Sequence, residues 1–261
     1  MRIVRAEFGN LKVTEIDESM IQNFLRTLPH RAQGKANIRT KLSQFLNYCR
    51  REGKWITANA AENIKVRVKS ADVLILSVED VKRLLGAAQK CAYPQSVLPY
   101  VLVQLFGGLR PFEAARLHWE RIHFETSQIE VLGETSKTRE TRFVRMEPQL
   151  IEWLLPFRKA RGSIVGPEFI DTLRAIKQAA GFTFSKNDSN PWVKDVLRHC
   201  YGSYWLAMHK DRAHLAKLMG ISLDMIESRY RRAIPETIAK EFWKLSPSRE
   251  PGRIIAIASV A

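Results

Sequence analysis

The sequence lacks the residue spacings that bind metal ions. Its three cysteines, Cys49, Cys91 and Cys200, are odd in number and form no Cys-x-x-Cys pair. Its six histidines form neither a His-x-x-x-His nor a His-Glu-x-x-His pair. We therefore expect no structural metal and no disulfide.

Long hydrophobic runs are also missing. No apolar stretch approaches the about 20 residues of a membrane-spanning helix, and the N-terminus lacks the apolar segment of a secretory signal. These absences favour a soluble, cytoplasmic protein.

Acidic residues are scarce relative to basic ones. The chain has 42 Lys plus Arg against 27 Asp plus Glu, a formal net charge of +15. This excess favours a polyanionic partner, because cations that neutralise a polyanion release its condensed counterions. Nucleic acid is the natural candidate. The 261 residues, 45% of them hydrophobic, suffice for a full core in one large or two modest domains.

The first 70 residues predict a small helical region. Apolar residues at helical spacing predict one helix over residues 17–28, which ends before Pro29. A second helix should end before Gly53 and bury one face, made of Ile38, Leu42, Phe45, Leu46 and Cys49. Three basic residues step by four along its start and form either a phosphate-contacting stripe or a solvated face: Arg31, Lys35 and Arg39. A following basic segment alternates with β-branched residues and predicts an extended linker near residue 70, with Lys65, Arg67 and Lys69.

A mainly helical second region should begin after this linker. Ser77 and Asp80 have the spacing of a capping box. The apolar run 98–105 predicts a buried helix that ends at Gly107-Gly108, and Pro111 is suited to the first position of the next helix. Arg110 would then lie at the N-cap, either as a phosphate clamp or paired with Glu113.

Alternating residues 129–132 and 142–146 predict a β-hairpin, whose polar turn carries Lys137 and Arg139. Further on, Asp195 is a candidate cap for a helix that has Arg198 in its first turn. Ser222 could cap a short helix whose buried face combines Leu223, Ile226 and Tyr230. By spacing alone, Tyr230 is more simply explained as a core aromatic.

Taken together, four boxes in order resemble the catalytic domain of the tyrosine recombinases, the phage-integrase type of site-specific recombinase. They are Gly108-Leu109-Arg110-Pro111-Phe112-Glu113 with Leu117 and Trp119, Ser136-Lys137-Thr138 with the strand after it, Leu197-Arg198-His199, and Met219-Gly220 with Tyr230 at the usual distance. The resemblance runs from about Ser77 to Trp243.

This resemblance implies a mainly α fold with a small antiparallel β-sheet. Residues 71–261 would form the catalytic domain, and residues 1–70 a truncated helical core-binding domain that contacts DNA. It also implies cleavage and rejoining of double-stranded DNA without metal or other cofactor, by a homo-oligomer that is a tetramer in the synaptic complex. Tyr230 would attack the scissile phosphate, Arg110 and Arg198 would neutralise its oxygens, and Lys137 would protonate the leaving 5′-oxygen.

Two positions depart from the family pattern. Asp195 stands where the family usually has a histidine, and Ile221 where it has a histidine or tryptophan that donates a hydrogen bond. Lys194 and His199 are accessory candidates, although His199 is more simply a structural residue. The departures leave open a protein of the same fold that binds DNA without cutting it.

A non-enzymatic regulator is a further alternative. Ala216, Gly220 and Ile226 have the spacing of a helix-turn-helix motif, and the net charge suits DNA binding. This alternative leaves the Arg110 box and the Lys137 hairpin without a role, so we rank it below an enzyme and below a protein of the same fold that binds DNA without cutting it.

Overall fold

The protein is described by a computed structural model that covers residues 2–68, 73–133, 141–184, 190–230 and 233–247. The chain divides into two compact units, Met1–Ser70 and Ala71–Ala261. It is mainly helical with one small antiparallel sheet, which confirms the predicted fold class.

The described part of the first unit contains the α-helices α1 (Arg2–Phe8), α2 (Glu18–Thr27) and α3 (Ala32–Arg51). α2 begins where Asp17 caps it by accepting a hydrogen bond from the Met20 N–H at 2.8 Å. Both predicted helices are present, whereas the sequence patterns did not predict α1. The prediction for Phe45 was wrong: it is 44% exposed, because the buried stripe of α3 runs through Leu42, Leu46 and Cys49 and leaves it at the edge.

The second unit begins with three helices, of which the middle one is mostly buried. They are α4 (Val78–Lys90), α5 (Pro94–Leu105) and the short α6 (Pro111–Ala114). Ser77 and Asp80 form the predicted capping box at the start of α4. α5 buries ten consecutive residues from Ser96 to Leu105, so the unit is built around it. Pro111 is the first residue of α6 and Arg110 is its N-cap, as predicted.

The sheet has the order β1-β2-β3, with β1 (Ile122–His123), β2 (Gln128–Val131) and β3 (Arg142–Arg145). All neighbours are antiparallel, and Ile129 pairs with both Ile122 and Val144. These three side chains are buried, which fits the alternation that predicted the hairpin. The hairpin turn, including Lys137 and Arg139, lies outside the described residues.

Further α-helices in the described part of the second unit are α7 (Pro148–Leu154), α8 (Phe169–Ala179), α9 (Val196–His209), α10 (Arg212–Met219), α11 (Leu223–Arg229) and α12 (Glu236–Trp243). Ser222 caps α11 by accepting a hydrogen bond from the Met225 N–H. Leu223 is 43% exposed, so the predicted shared face is limited to Ile226 and Tyr230. Tyr230 belongs to a second buried cluster, called the aromatic cluster below, whose other members come from α9, α10 and α11: Tyr201, Trp205, Leu215, Ala216, Met219 and Ile226.

Candidate active site

Arg110 enters the site from a turn in which the packing around Gly108 leaves no room for a side chain. Gly108 has a φ of +65°, and a Cβ there would lie 2.4 Å from Tyr201 Cδ1. The chain then reaches Arg110, whose backbone N–H donates to Glu113 Oε2 at 2.8 Å and whose Nη1 donates to Oε1 at 2.8 Å. Arg110 Nη2 donates to the Gly220 carbonyl at 2.6 Å. The pairing with Glu113 is therefore present, and the guanidinium also reaches the turn between α10 and α11.

Arg142, which the sequence analysis did not single out, lies in the same cluster. Its Nη1 and Nη2 donate to Glu113 Oε1 and Oε2 at 2.9 and 2.7 Å, a two-pronged ion pair. The side chain of Glu113 is only 1% exposed and that of Arg142 13%. A Cβ on Gly220 would lie 3.2 Å from Arg142 Cδ and Nε, so glycine allows this close approach. The sequence places Arg142 at the start of the predicted strand β3, but no local pattern indicates that its side chain pairs with Glu113.

The charge state of Glu113 follows from these contacts. Burial by itself raises its pKa, but hydrogen bonds and charges from Arg142 and Arg110 outweigh burial and hold the pKa below its ordinary value. The carboxylate is therefore ionised at neutral pH. It binds both guanidinium groups and fixes where they point.

Arg198 lies in the first turn of α9, as predicted, and is almost fully buried. Its Nη1 donates to the Gly108 carbonyl and its Nη2 to the Met219 carbonyl. Burial lowers the pKa of Arg198 to about 10, and the field of Arg110 adds to this effect. Arg198 therefore stays charged at neutral pH.

Arg110 and Arg198 are 88 positions apart in the chain, yet they donate to the adjacent carbonyls of Gly220 and Met219. Among the described residues, Arg110 and Arg142 form ion pairs with the Glu113 carboxylate and Arg198 lies within its field, so three guanidinium cations share this carboxylate and positive charge is in excess. Such a partly exposed excess of fixed positive charge favours the binding of phosphate oxygens.

Tyr230 follows α11 and is 5% exposed. Its hydroxyl lies 3.1 Å from His199 Nδ1. Burial raises the pKa of Tyr230 to about 12, and the positive charges of Arg198 and Arg229 act in the opposite direction. The hydroxyl is therefore protonated at neutral pH and lies against a histidine on α9.

Asp195 does not have the predicted capping role. It occupies the N-cap position of α9 with a left-handed φ of 62°, and its side chain accepts no capping hydrogen bond. That backbone conformation turns the carboxylate away from the free N–H groups of the helix, as an N-cap residue needs extended φ and ψ angles to reach them. Its charge nevertheless acts on His199 and Tyr230.

Of the remaining candidate residues of the second unit, the structure describes two and leaves two outside the described ranges. Lys194 is exposed, and Ile221 is half-buried against the aromatic cluster that contains Tyr230. The functions of Lys137 and Arg139 stay predictions, since both residues lie outside the described ranges. The strand that follows their turn, β3, begins at Arg142, which belongs to the arginine cluster.

The basic residues of the first unit are partly engaged within that unit. Lys35 Nζ donates to the Arg26 carbonyl at 2.8 Å, and Arg39 Nη2 donates to the Glu62 carbonyl. Arg31, Lys65 and Arg67 are exposed, while Lys69 lies outside the described residues. A DNA-contacting role for this set stays a prediction.

Within the described ranges, no group of three or more His, Cys, Asp and Glu side chains could hold a metal ion. No helix in the part of the chain that the structure describes is long and apolar enough to cross a membrane.

Comparisons with known proteins show the fold. No protein-family model and no curated protein matches the chain. Among solved structures, a lambda integrase dimer bound to a COC′ core site is similar with a TM-score of 0.63 at 17% identity, over 86% of each chain. The XerH site-specific recombinase bound to its difH substrate has a TM-score of 0.60 at 19% identity, over 94% of this chain and 75% of that one. The Tn1549 transposon integrase in complex with a circular intermediate DNA has a TM-score of 0.61 at 15% identity, over 94% and 91%. The chain therefore has the fold of the tyrosine recombinases.

Proposed function

We propose that this protein is a site-specific DNA recombinase that cuts and rejoins DNA through a 3′-phosphotyrosyl intermediate, with Tyr230 as the nucleophile. The observation that carries the proposal is the convergence of Arg110 and Arg198 on the adjacent carbonyls of Gly220 and Met219, close to Tyr230. The shared fold with integrases and recombinases, and the net charge of +15, support it.

The chemistry is a phosphoryl transfer in two matched steps. The Tyr230 oxygen attacks phosphorus while the bond from phosphorus to the 5′-oxygen breaks, and Lys137 donates a proton to that leaving oxygen. The 5′-hydroxyl of a partner strand later attacks the phosphotyrosyl bond and releases Tyr230. Negative charge grows on the non-bridging oxygens in both transition states, where the guanidinium groups of Arg110 and Arg198 stabilise it.

The partners follow from the same proposal. The substrate is double-stranded DNA, and two exchanging duplexes need several copies of the chain, so we expect a homo-oligomer on DNA and a tetramer at synapsis. Neighbours of the same fold include a lambda integrase dimer on a core site and a lambda integrase tetramer on a Holliday junction.

The test is a search for covalent protein–DNA adducts. The purified protein is mixed with supercoiled plasmid that carries its own genomic flanks, and the reaction is quenched in detergent. We expect an adduct with the wild type and with Tyr93→Phe, which changes an exposed tyrosine, and none with Tyr230→Phe. An adduct that persists in Tyr230→Phe would overturn the assignment of the nucleophile.

A protein of this fold that binds DNA without cutting it is the second candidate. Two observations favour it: Tyr230 is buried, and Asp195 and Ile221 stand at positions where the family pattern has other residues. Intact gel-shift binding without any adduct from the wild type would support this candidate and refute the enzyme.

The helix-turn-helix alternative is less consistent with the structure. α10 and α11 are joined by a turn through Gly220 at a φ of 59°, but α11 has only seven residues. Its exposed residues include Asp224 and Glu227, whose charges repel the phosphates that line a DNA groove.

A further inference from the structure

The ring of Tyr230 is held against one face of α9. At Gly202 a Cβ would lie 2.6 Å from Tyr230 Cε1, so the absence of a side chain there makes room for the ring. One helical turn earlier, His199 Nδ1 lies 3.1 Å from the Tyr230 hydroxyl oxygen. The two ring centroids are 6.0 Å apart and the planes are inclined at 61°. Gly202 and His199 together fix both the ring and its hydroxyl.

The groups around His199 favour its neutral form. Burial lowers the pKa of His199 to about 4; Arg198 and Arg229 act in the same direction, and Asp195 opposes them. Among the described residues, the charged and titratable groups that act on the imidazole are therefore Asp195, Arg198, Arg229 and the Tyr230 hydroxyl. A neutral imidazole has one nitrogen lone pair that can accept a proton.

The phenol has to lose a proton when it attacks phosphorus. Arg198 and Arg229 cannot accept it, since their guanidinium groups are already cations. Asp195 acts on Tyr230 through its charge, without a hydrogen bond to the hydroxyl among the described contacts. In the described part of the chain, the base within hydrogen-bond distance of the hydroxyl is His199 Nδ1.

Resting on the proposed function, we infer that His199 is the proton acceptor for Tyr230 in strand cleavage. The hydroxyl donates to Nδ1 while Nε2 carries the hydrogen. As the bond from the Tyr230 oxygen to phosphorus forms, the proton moves to Nδ1; the 5′-oxygen leaves with a proton from a separate donor, Lys137. During rejoining, the attacking 5′-hydroxyl gives its proton back to the neutral amine of that donor, and the imidazolium returns its proton to the Tyr230 oxygen as that oxygen leaves phosphorus.

Proton transfer accompanies bond formation in this scheme. A free phenol would not give its proton to so weak a base, but the phenolic oxygen becomes strongly acidic once it begins to bond to phosphorus. The phosphate charge next to the ring also stabilises the imidazolium form, because an opposite charge favours a cation. The acceptor is then needed only while the bond forms.

The variant His199→Asn separates proton transfer from positioning of the Tyr230 hydroxyl. An asparagine amide occupies nearly the same place as Nδ1 and can still hold the hydroxyl, but it cannot accept a proton at neutral pH. The matched control is His118→Asn, which changes a histidine whose side chain is 56% exposed. Gel shift on the target duplex measures binding separately, and circular dichroism melts check folding.

The measurement is the single-turnover rate of covalent adduct formation across neutral pH. We expect His199→Asn to bind DNA as the wild type does and to form the adduct about 10²–10⁴-fold more slowly, the usual contribution of a general base. The rate of the variant should rise steadily with pH, because only hydroxide or tyrosinate then replaces the base, whereas the wild-type rate should level off. His199→Ala should regain rate when free imidazole is added.

The outcomes distinguish this inference from the proposed function. A His199→Asn rate equal to that of the wild type, or an unchanged pH profile, would refute His199 as the acceptor while Tyr230 chemistry stands. An adduct from His199→Ala that imidazole does not accelerate would also count against it. No adduct from the wild type would overturn both.

Discussion

Replacing Glu113 with glutamine should destabilise the second unit strongly. The buried carboxylate accepts four hydrogen bonds, one from the Arg110 N–H, one from the Arg110 guanidinium and two from Arg142. Glutamine keeps the shape, but its NH₂ group would face a guanidinium donor and two cations would lose their counter-charge. Breaking a buried, hydrogen-bonded ion pair from one side costs about 3–5 kcal/mol.

For a unit of this size, about 2–4 °C of melting temperature is lost per kcal/mol, so the midpoint should fall by about 6–20 °C. Urea and thermal unfolding can be followed by the fluorescence of Trp119 and Trp153, both buried in this unit. The matched control is Glu125→Gln, which removes an ion pair with Arg158 of the same 2.8 Å length on the exposed surface. We expect no measurable change there, because solvent screens such a pair.

The stabilisation that Glu113 provides should depend on pH. Since the folded-state pKa of Glu113 lies below its unfolded value, its stabilisation is present above the unfolded pKa and is lost as pH falls through the folded pKa. The difference in unfolding free energy between wild type and Glu113→Gln should therefore become smaller at acidic pH. Equal melting of Glu113→Gln and Glu125→Gln at neutral pH would refute the assignment of Glu113 as the group that holds the arginine cluster together.

Three other outcomes can be checked. Gly108→Ala should cost about 2–4 kcal/mol of unfolding free energy, because it strains a left-handed residue and drives a Cβ into Tyr201; a neutral result in urea melts would contradict this. Lys177→Met should stabilise the protein at neutral pH by about 1 kcal/mol, because burial lowers the pKa of Lys177 to about 8; solvent at the exposed part of the side chain and the lost contact of Nζ with the Trp192 ring keep the gain well below the full shift. That advantage should shrink as pH rises from about 8 towards the ordinary value of 10.5, where the unfolded lysine also loses its charge; a pH-independent difference would argue against it. Duplex affinity should fall about 10³–10⁵-fold between about 50 and about 200 mM salt if six to ten phosphates are contacted, and a flat response in gel shifts would exclude a basic interface.

Local features of the sequence predicted much of the fold. The helical spacing of apolar residues marked α2 and α3, and the Ser77–Asp80 pair marked the start of α4. The alternation in β2 and β3 marked the hairpin. Periodicity and capping act over a few residues, so a single sequence carries their signal.

Some local predictions were wrong for equally physical reasons. Phe45 has the spacing of a buried residue but lies at the edge of the stripe on α3, because burial depends on what packs opposite. Asp195 has the residue type of a helix cap but adopts a left-handed backbone conformation that prevents capping. Residue type permits these roles, and the surrounding structure decides whether they are filled.

The order of four motif boxes was enough to nominate Arg110, Arg198 and Tyr230 from the sequence alone, since their resemblance to a known family lies in residue identity and spacing. Only the tertiary structure decided that Arg142 shares the Glu113 carboxylate and that His199 contacts the Tyr230 hydroxyl. These contacts join residues 29 and 31 positions apart on different elements. Their partners are set by how α6, β3, α9 and the end of α11 pack, and no short-range pattern encodes that packing.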